Sequence, residues 1–505
     1  HSYTGTVTVA SSGASLFYAQ GETREGYFLT SPLDIEVNLS YTKLDGTTID
    51  RTFTATIADP QPRTLYNINV DATLEDGKIV FNITVDEGFD TVDIDLGDNG
   101  NPQGGGANIV HVGGSSNDVP VGVFEQTNGN LLVFAQTLST DFDSPATNGG
   151  EFWIFEITRD GEMARNMTIG SQGYDRLLNA VKISDGYLLM GYSGSSDGLF
   201  FQRPGIDRFG GVLVKLDLAL NVVWVSYNNS FEIMNAYEMA NGNIATCGSF
   251  SQIDMNSNVS MHSSNGALLW SYNFGGSGLD YATEIIETSN NNLLVTSFST
   301  STDGDISSSH GGSDIWMMGI DGNGSLLWEK SIGGSGNEFA TSVEKGSNGS
   351  VILAGGSGST NGDFGPNNGG DDGFILTTDE SGTILSLKSY GAYSGDGFAD
   401  MELMADGSMV LTGYKFGTGI TVNGRRSTDM WFVRVSAAGD IIDESIFGGI
   451  TNDYGRAITA IQGNGYALVG VSGPDNVEGL DAIFDQNYGR EDIWILRLDA
   501  NGALQ

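Results

Sequence analysis

The chain has 505 residues, with 63 acidic against 22 basic side chains, four histidines and a formal net charge of −41. That charge repels nucleic-acid phosphates and anionic membrane surfaces, with no basic run to offset it, and no stretch reaches the roughly 18 apolar residues that span a bilayer. The single cysteine, Cys247, excludes an internal disulfide; with no histidine near it in sequence it reads as a small buried hydrophobe rather than a nucleophile. The 73 glycines stand beside 39% hydrophobic residues in regular patterns, which indicates a folded, turn-rich, all-β protein.

Residues 1–96 alternate in short runs, as in Asp34-Ile35-Glu36-Val37-Asn38-Leu39 and Lys78-Ile79-Val80-Phe81, with turn pairs at Asp45-Gly46 and Asp76-Gly77. Period-two alternation gives strands with one wet face, and a β-sandwich of immunoglobulin-like type is expected. No signal-peptide pattern precedes these strands, which a processed N-terminus accommodates. Residues 97–106, Gly-Asp-Asn-Gly-Asn-Pro-Gln-Gly-Gly-Gly, read as a flexible linker and place the domain boundary there.

From residue 107 to 505 the text repeats. Taking Trp316 as a register mark, the equivalent positions are Trp153, Val212, Asn258, Trp316, Phe374, Trp431 and Trp494, spaced by 59, 46, 58, 58, 57 and 63 residues. Eight positions after each mark stands a turn glycine (Gly161, Gly266, Gly324, Gly382, Gly439, Gly502), with Leu220 as the exception. Upstream of each mark lies a hairpin pair such as Asn128-Gly129, Asn241-Gly242 or Asp406-Gly407, which suggests type I′ turns with both central residues at positive φ. Four short antiparallel strands per repeat, seven times over, make a seven-bladed β-propeller. Residues 454–505 supply only three strands of the last blade, and residues 108–112 match the text of the missing outer strand, so the ring is expected to close with that strand, His111 being structural within it. Trp224, Trp270 and Trp328 recur at one outer-strand position and read as packing anchors between blades.

Two sets of turns are short and uniform, whereas the loops between second and third strands are unequal: 194–210, 416–428 and 473–491 are long. Binding residues concentrate on loops held by a rigid scaffold, so the candidates are Phe200, Phe201, Arg203 and Arg208 in the first, Arg425 and Arg426 in the second, and Asp481, Phe484, Asp485 and Tyr488 in the third. Carboxylates near glycine (Asp141 with Asp143, Asp303 with Asp305 ahead of Asp314, Asp363 ahead of Asp372) have the hard oxygen donors and short spacing that suit calcium, although not in the EF-hand pattern.

The text Gly311-Gly-Ser-Asp-Ile-Trp316, Asp321–Gly324 and Gly333–Asn337 resembles the glycine-rich β-propeller repeats of secreted and surface-anchored proteins of Bacteroidota-type bacteria, over about residues 107–505. Its DGNGSLLW segment is similar to quinoprotein-like propellers, although the vicinal cysteine pair of some of those dehydrogenases is missing. The resemblance implies an extracytoplasmic protein, secreted or associated with the outer membrane, acting as a binding or accessory module, in some relatives as a lipoprotein subunit of an outer-membrane complex. Together with the unequal loops this leads to the expectation of a non-catalytic protein that recognises a protein or glycan partner, and not nucleic acid, through the long-loop face. The alternative is a propeller enzyme, a glycoside hydrolase or lyase, using a pair of channel carboxylates.

Overall fold

The computed structural model describes residues 108–505 except 147–149, 171, 196–197, 201–209, 229–230, 251–254, 347–348, 366, 368, 393–394, 418–426, 450 and 474–488, together with the backbone of six strands between residues 3 and 87. The chain divides into two compact units, His1–Gln103 and Gly104–Gln505. In the first, Tyr3–Ser11, Ala14–Phe17, Leu33–Thr42 and Thr48–Ile57 form one antiparallel sheet, while Tyr66–Glu75 pairs with Lys78–Glu87 as a hairpin. The packing that would make these strands a sandwich involves side chains outside the described residues.

The second unit is a seven-bladed β-propeller: seven four-stranded antiparallel sheets whose first strands touch one another around a ring. The blade that contains the register mark Trp316 runs Asp280–Glu287, Leu293–Ser299, Asp314–Ile320 and Leu326–Ile332 from the axis outward. Second strands such as Leu293–Ser299 and Gly465–Ser472 have both faces against neighbouring blades, which is why their sequences are almost continuously apolar. The seventh blade takes its outer strand, Ile109–Val112, from the start of the unit, paired Ile493↔Val112 through Leu496↔Ile109. Within that strand His111 Nε2 meets Asp492 Oδ2 at 2.9 Å and its ring stacks on Trp494 at 4.7 Å.

The repeat is visible as packing. All seven register marks are at most 5% exposed. Their polar atoms bond the outer strand 13 residues on: Trp153 Nε1 to Asn166 Oδ1 (2.7 Å), Trp316 Nε1 to Glu329 Oε2 (3.0 Å), Trp431 Nε1 to Glu444 Oε1 (2.8 Å) and, where tryptophan is replaced, Asn258 Nδ2 to Ser271 Oγ (3.0 Å). The turn glycines adopt φ between 76° and 86°, and Leu220 keeps the same left-handed conformation at φ 70°. The conformation is therefore conserved where glycine is not, at a cost of about 1–2 kcal/mol. Packing adds a second reason for glycine: a Cβ would meet the Trp224 ring at 2.7 Å at Gly266, the Tyr272 ring at 2.4 Å and Trp270 at 3.1 Å at Gly324, and Trp328 at 3.2 Å at Gly382, all outer-strand side chains of the preceding blade. Trp224 and Trp270 also donate to Ser264 O and Gly322 O of those turns, both at 3.1 Å.

Four of the hairpin turns differ from the type I′ expectation, whereas in the last blade Gly463 and Asn464 both have positive φ, 91° and 65°. At Gly129, Gly242, Asn291 and Gly407 only one residue has positive φ, and its N–H donates to the carbonyl three residues back (Gln126, Met239, Thr288, Met404). This is a type I turn closed by a left-handed residue, the three-residue hairpin loop, in which the asparagine or aspartate before the glycine stays right-handed. A turn pair alone does not distinguish the two loops, because both place glycine after asparagine.

Candidate functional site

The seven first strands, Asp118–Glu125, Asp175–Ile183, Glu232–Glu238, Asp280–Glu287, Glu338–Lys345, Asp396–Leu403 and Asp453–Ile461, line a central channel of about 1430 Å³. Each carries a β-bulge at the same height. The register shifts fall between Pro120/Gly122, Leu177/Asn179, Ile233/Asn235, Ala282/Glu284, Ala340/Ser342, Phe398/Asp400 and Gly455/Ala457. A bulge leaves one residue without a partner across the ladder and re-aims its side chain. The inserted residues, Val121, Leu178, Met234, Thr283, Thr341, Ala399 and Arg456, form a ring that lines the channel. Two of them knit blades together, Thr283 Oγ1 donating to Ala340 O (3.1 Å) and Thr341 Oγ1 to Phe398 O (2.9 Å).

One step deeper the wall is acidic over blades four to six. Glu284 accepts Asn235 Nδ2 at 2.6 Å, and Asp400 accepts the N–H groups of Met401 (2.8 Å) and Ile458 (2.9 Å). Glu402 accepts Ala460 N at 2.7 Å, whereas Glu344 lies between these groups with the charges of Asp400 and Glu402 nearby. Enclosure in the wall, reinforced by those like charges, pushes the Glu344 carboxyl up to about 7. Asp400 is pushed up to about 6 by burial, partly offset by its backbone donors, and burial raises Glu284 well above the usual carboxylate range. Two neighbouring carboxyls thus differ in environment: Asp400 is held by N–H donors that favour its anion, while Glu344 retains its proton near neutrality.

The upper mouth, where the blade-to-blade exits and the second-to-third strand loops lie, has a different chemistry. Arg176 and Arg456 are exposed there and line the channel, and neither forms an ion pair among the described residues. Arg176 lies beside Tyr192, whose ring neighbours Tyr174 (centroids 6.2 Å) and Phe231 (5.3 Å, stacked). Arg456 lies over the Tyr454 ring at 5.7 Å. On the first strand of the fourth blade Tyr281 stacks on Phe298 at 5.2 Å and 13°, and its hydroxyl donates to Glu232 Oε1 at 2.5 Å.

The acidic loop residues singled out from the sequence act on the same face as clamps. Asp141 Oδ1 accepts Ser115 N (2.8 Å) and Asp143 Oδ2 accepts Gly113 N (3.2 Å); Asp303 Oδ1 accepts Ser277 N (2.7 Å) and Asp305 Oδ2 accepts Gly275 N (3.0 Å). In the next blade Asn361 and Asp363 hold Ser335 N and Gly333 N in the same way, at 2.8 and 3.1 Å. The middle residues Phe142, Gly304 and Gly362 are left-handed, with φ of 54°, 70° and 69°. Asp314 and Asp372 are buried at the feet of third strands, and Asp314 accepts His310 N at 2.6 Å. Among the described residues no three His, Cys, Asp or Glu side chains are gathered as a metal would require.

Of the loop candidates, Phe200 is fully buried, 5.5 Å from the Phe152 ring in the core between the first two blades. Phe201, Arg203, Arg208, Arg425, Arg426, Asp481, Phe484, Asp485 and Tyr488 lie outside the described residues. The sequence reading missed Arg176, Arg456, Tyr281, Glu344 and Asp400. The signal for Arg456 was present: aligned on the seven repeats, its position is uncharged in the other six.

Residues 1–96 match the family described as "Domain of unknown function (DUF4493)". No curated protein matches the chain. Among solved structures, a polysaccharide lyase of family PL25, an ulvan lyase, is 10% identical with a TM-score of 0.47, covering 78% of this chain and 97% of its own. The Pan2 WD40 domain of Neurospora crassa is 10% identical with a TM-score of 0.42 (77% and 91% covered), and the β-propeller domain of the Trilobed protease of Pyrococcus furiosus is 9% identical with a TM-score of 0.38 (70% and 91% covered). All three likenesses concern propellers, and none carries an argument about what this chain binds or does.

Proposed function

We propose that the protein is a non-catalytic binding protein of the cell surface or extracytoplasmic space, recognising a protein or glycan partner on the upper face of its propeller. The observation that carries this reading is the difference between the two faces. On the lower face the turns are spent on packing, glycine against tryptophan from blade to blade. On the upper face, exposed Arg176 and Arg456 and part-exposed aromatic rings surround the channel mouth. The unequal loops rise from this same face, and such loops on a closed scaffold serve recognition rather than folding. The unit at residues 1–96 then acts as a spacer or a second docking module, within an outer-membrane assembly in the fullest form of the proposal. Capture of partners from native membranes by the full chain tests it: deleting 473–491 and reversing Arg425 and Arg426 to Glu should abolish capture with the propeller melt unchanged. Capture that survives both changes and is lost on removing residues 1–96 would move the site to the first unit.

A second reading, a glycan-cleaving propeller, is favoured by the paired environments of Glu344 and Asp400, the arrangement in which one carboxyl can give a proton while the other accepts one. Turnover of an oligosaccharide that disappears in both Glu344→Gln and Asp400→Asn would support it. Binding without turnover at any pH between 5 and 8 would rule it out for that sugar.

A further inference from the structure

Arg456 occupies the inserted position of the bulge ring, where the other six residues are Val121, Leu178, Met234, Thr283, Thr341 and Ala399. Those side chains pad the wall or bond the next blade; a guanidinium at this position does neither. It forms no ion pair among the described residues, and enclosure in the wall disfavours its charge, with Glu491 and Tyr454 acting the other way. Glu491 itself accepts Asn117 Nδ2 at 3.2 Å. A second exposed guanidinium, Arg176, stands at the same mouth two blades away, in a chain with only 22 basic residues. The carboxylate nearest that side, Glu232, is already bound by Ser249 Oγ at 3.0 Å and by the Tyr281 hydroxyl.

We propose that Arg176 and Arg456, with the Tyr281–Phe298 and Tyr174 rings, form a site for an anionic oligosaccharide, a uronate or sulfated sugar, lying across the channel mouth. The inference rests on the binding reading above and names its ligand class and its residues. A guanidinium fork takes a carboxylate or sulfate through two parallel N–H bonds, which a neutral sugar cannot use. Aromatic faces receive the apolar face of a pyranose ring, which an extended acidic peptide does not present. The acidic wall beneath, with Glu284, Glu344 and Asp400, repels an anion from threading the channel and so keeps the chain of sugars at the mouth. The overall charge of −41 does not forbid this. At about 0.15 M salt the screening length is about 8 Å, so distant carboxylates are damped while contact pairs at the mouth are not.

The test is calorimetric titration of the full chain at physiological salt with four probes: an oligogalacturonate, a chondroitin sulfate oligosaccharide, a neutral malto-oligosaccharide and poly-glutamate. At least one of the anionic sugars should bind, with Arg456→Gln and Arg176→Gln each weakening it by about tenfold or more and leaving the melt unchanged. Tyr174→Ala, at a part-exposed ring, should weaken sugar binding without altering the fold. No binding of either anionic sugar, equal binding of the neutral sugar, tighter binding of poly-glutamate, or unchanged affinity in both arginine variants would each overturn the inference. Partner capture that depends on Arg425 and Arg426 while no anionic sugar binds would refute the sugar site and leave the binding reading standing.

Discussion

Replacing Glu344 by glutamine should stabilise the propeller, and only above about pH 5. Burial and the charges of Asp400 and Glu402 move this carboxyl from 4.5 to about 7 in the fold. The folded chain thus holds the proton more firmly than the unfolded chain, so the carboxyl detracts nothing below its unfolded pKa. Stability is lost as pH rises from about 4.5 to about 7, and the loss persists above that. At about 1.4 kcal/mol per tenfold change in proton affinity the full effect is on the order of 3 kcal/mol, and relaxation with channel water reduces it to roughly 1–3 kcal/mol. Glutamine keeps the shape and removes the charge. Thermal and urea melts of wild type and Glu344→Gln between pH 4 and 8 should coincide at pH 4 and diverge upward for the variant by pH 8. Asp400 and Asp118, both pushed up to about 6 by burial, give wild type the same downward slope, so part of the decline should persist in the variant. A variant no more stable than wild type at pH 8, or equally pH-dependent, would show that Glu344 is not held as a strained anion.

Gly324→Ala should cost about 1–3 kcal/mol, since φ is 86° there and a Cβ would sit 2.4 Å from the Tyr272 ring; a melt within error of wild type would contradict the packing described. Gly362→Ala should destabilise by a similar amount, because its Cβ would meet Gly333 O at 2.3 Å, and the same melt checks it. Chelation tests the calcium expectation for Asp303, Asp305 and Asp363: carboxylates already capping backbone N–H groups predict an unchanged melt, and a clear drop on adding EDTA would show that they also hold a cation. Removing residues 1–107 should leave a folded propeller, whereas removing 1–112 should lower its melting temperature by several degrees, because Asp492–Leu498 then presents an open edge.

The sevenfold architecture was legible because the residues that encode it are packing residues repeated at a fixed period: Trp153, Trp316 and Trp431 mark the core, and glycines mark the left-handed turns. Even the exceptions kept their places, Leu220 in backbone conformation and Asn258 in its bond across to the outer strand. The site was far less legible. A bulge exists only relative to a partner strand, so the ring that carries Arg456 cannot be seen in one strand's text. The clamps Asp303 and Asp305 were visible as acids on a bending loop, but the N–H groups they serve, on Ser277 and Gly275, are 26 and 30 residues away. The raised pKa of Glu344 arises first from its burial in the channel wall and then from Asp400 and Glu402 on the next blade, a proximity that the period implies but the composition does not.

The way the ring is fastened also sets where it bears load. Arg497 N donates to Asn108 O at 2.8 Å, and Gln505 N donates to Arg497 O at 3.2 Å, so the entry to the propeller and its last residue meet on one strand. A pull between whatever is tethered on either side of these two points runs through that junction alone and leaves six of the seven blades out of the force path. The weakest mechanical link is then the four-residue clasp Ile109–Val112, which would open strand by strand while the other blades keep their shape. Under tension the molecule would lengthen by the slack of a single blade before any second sheet was disturbed.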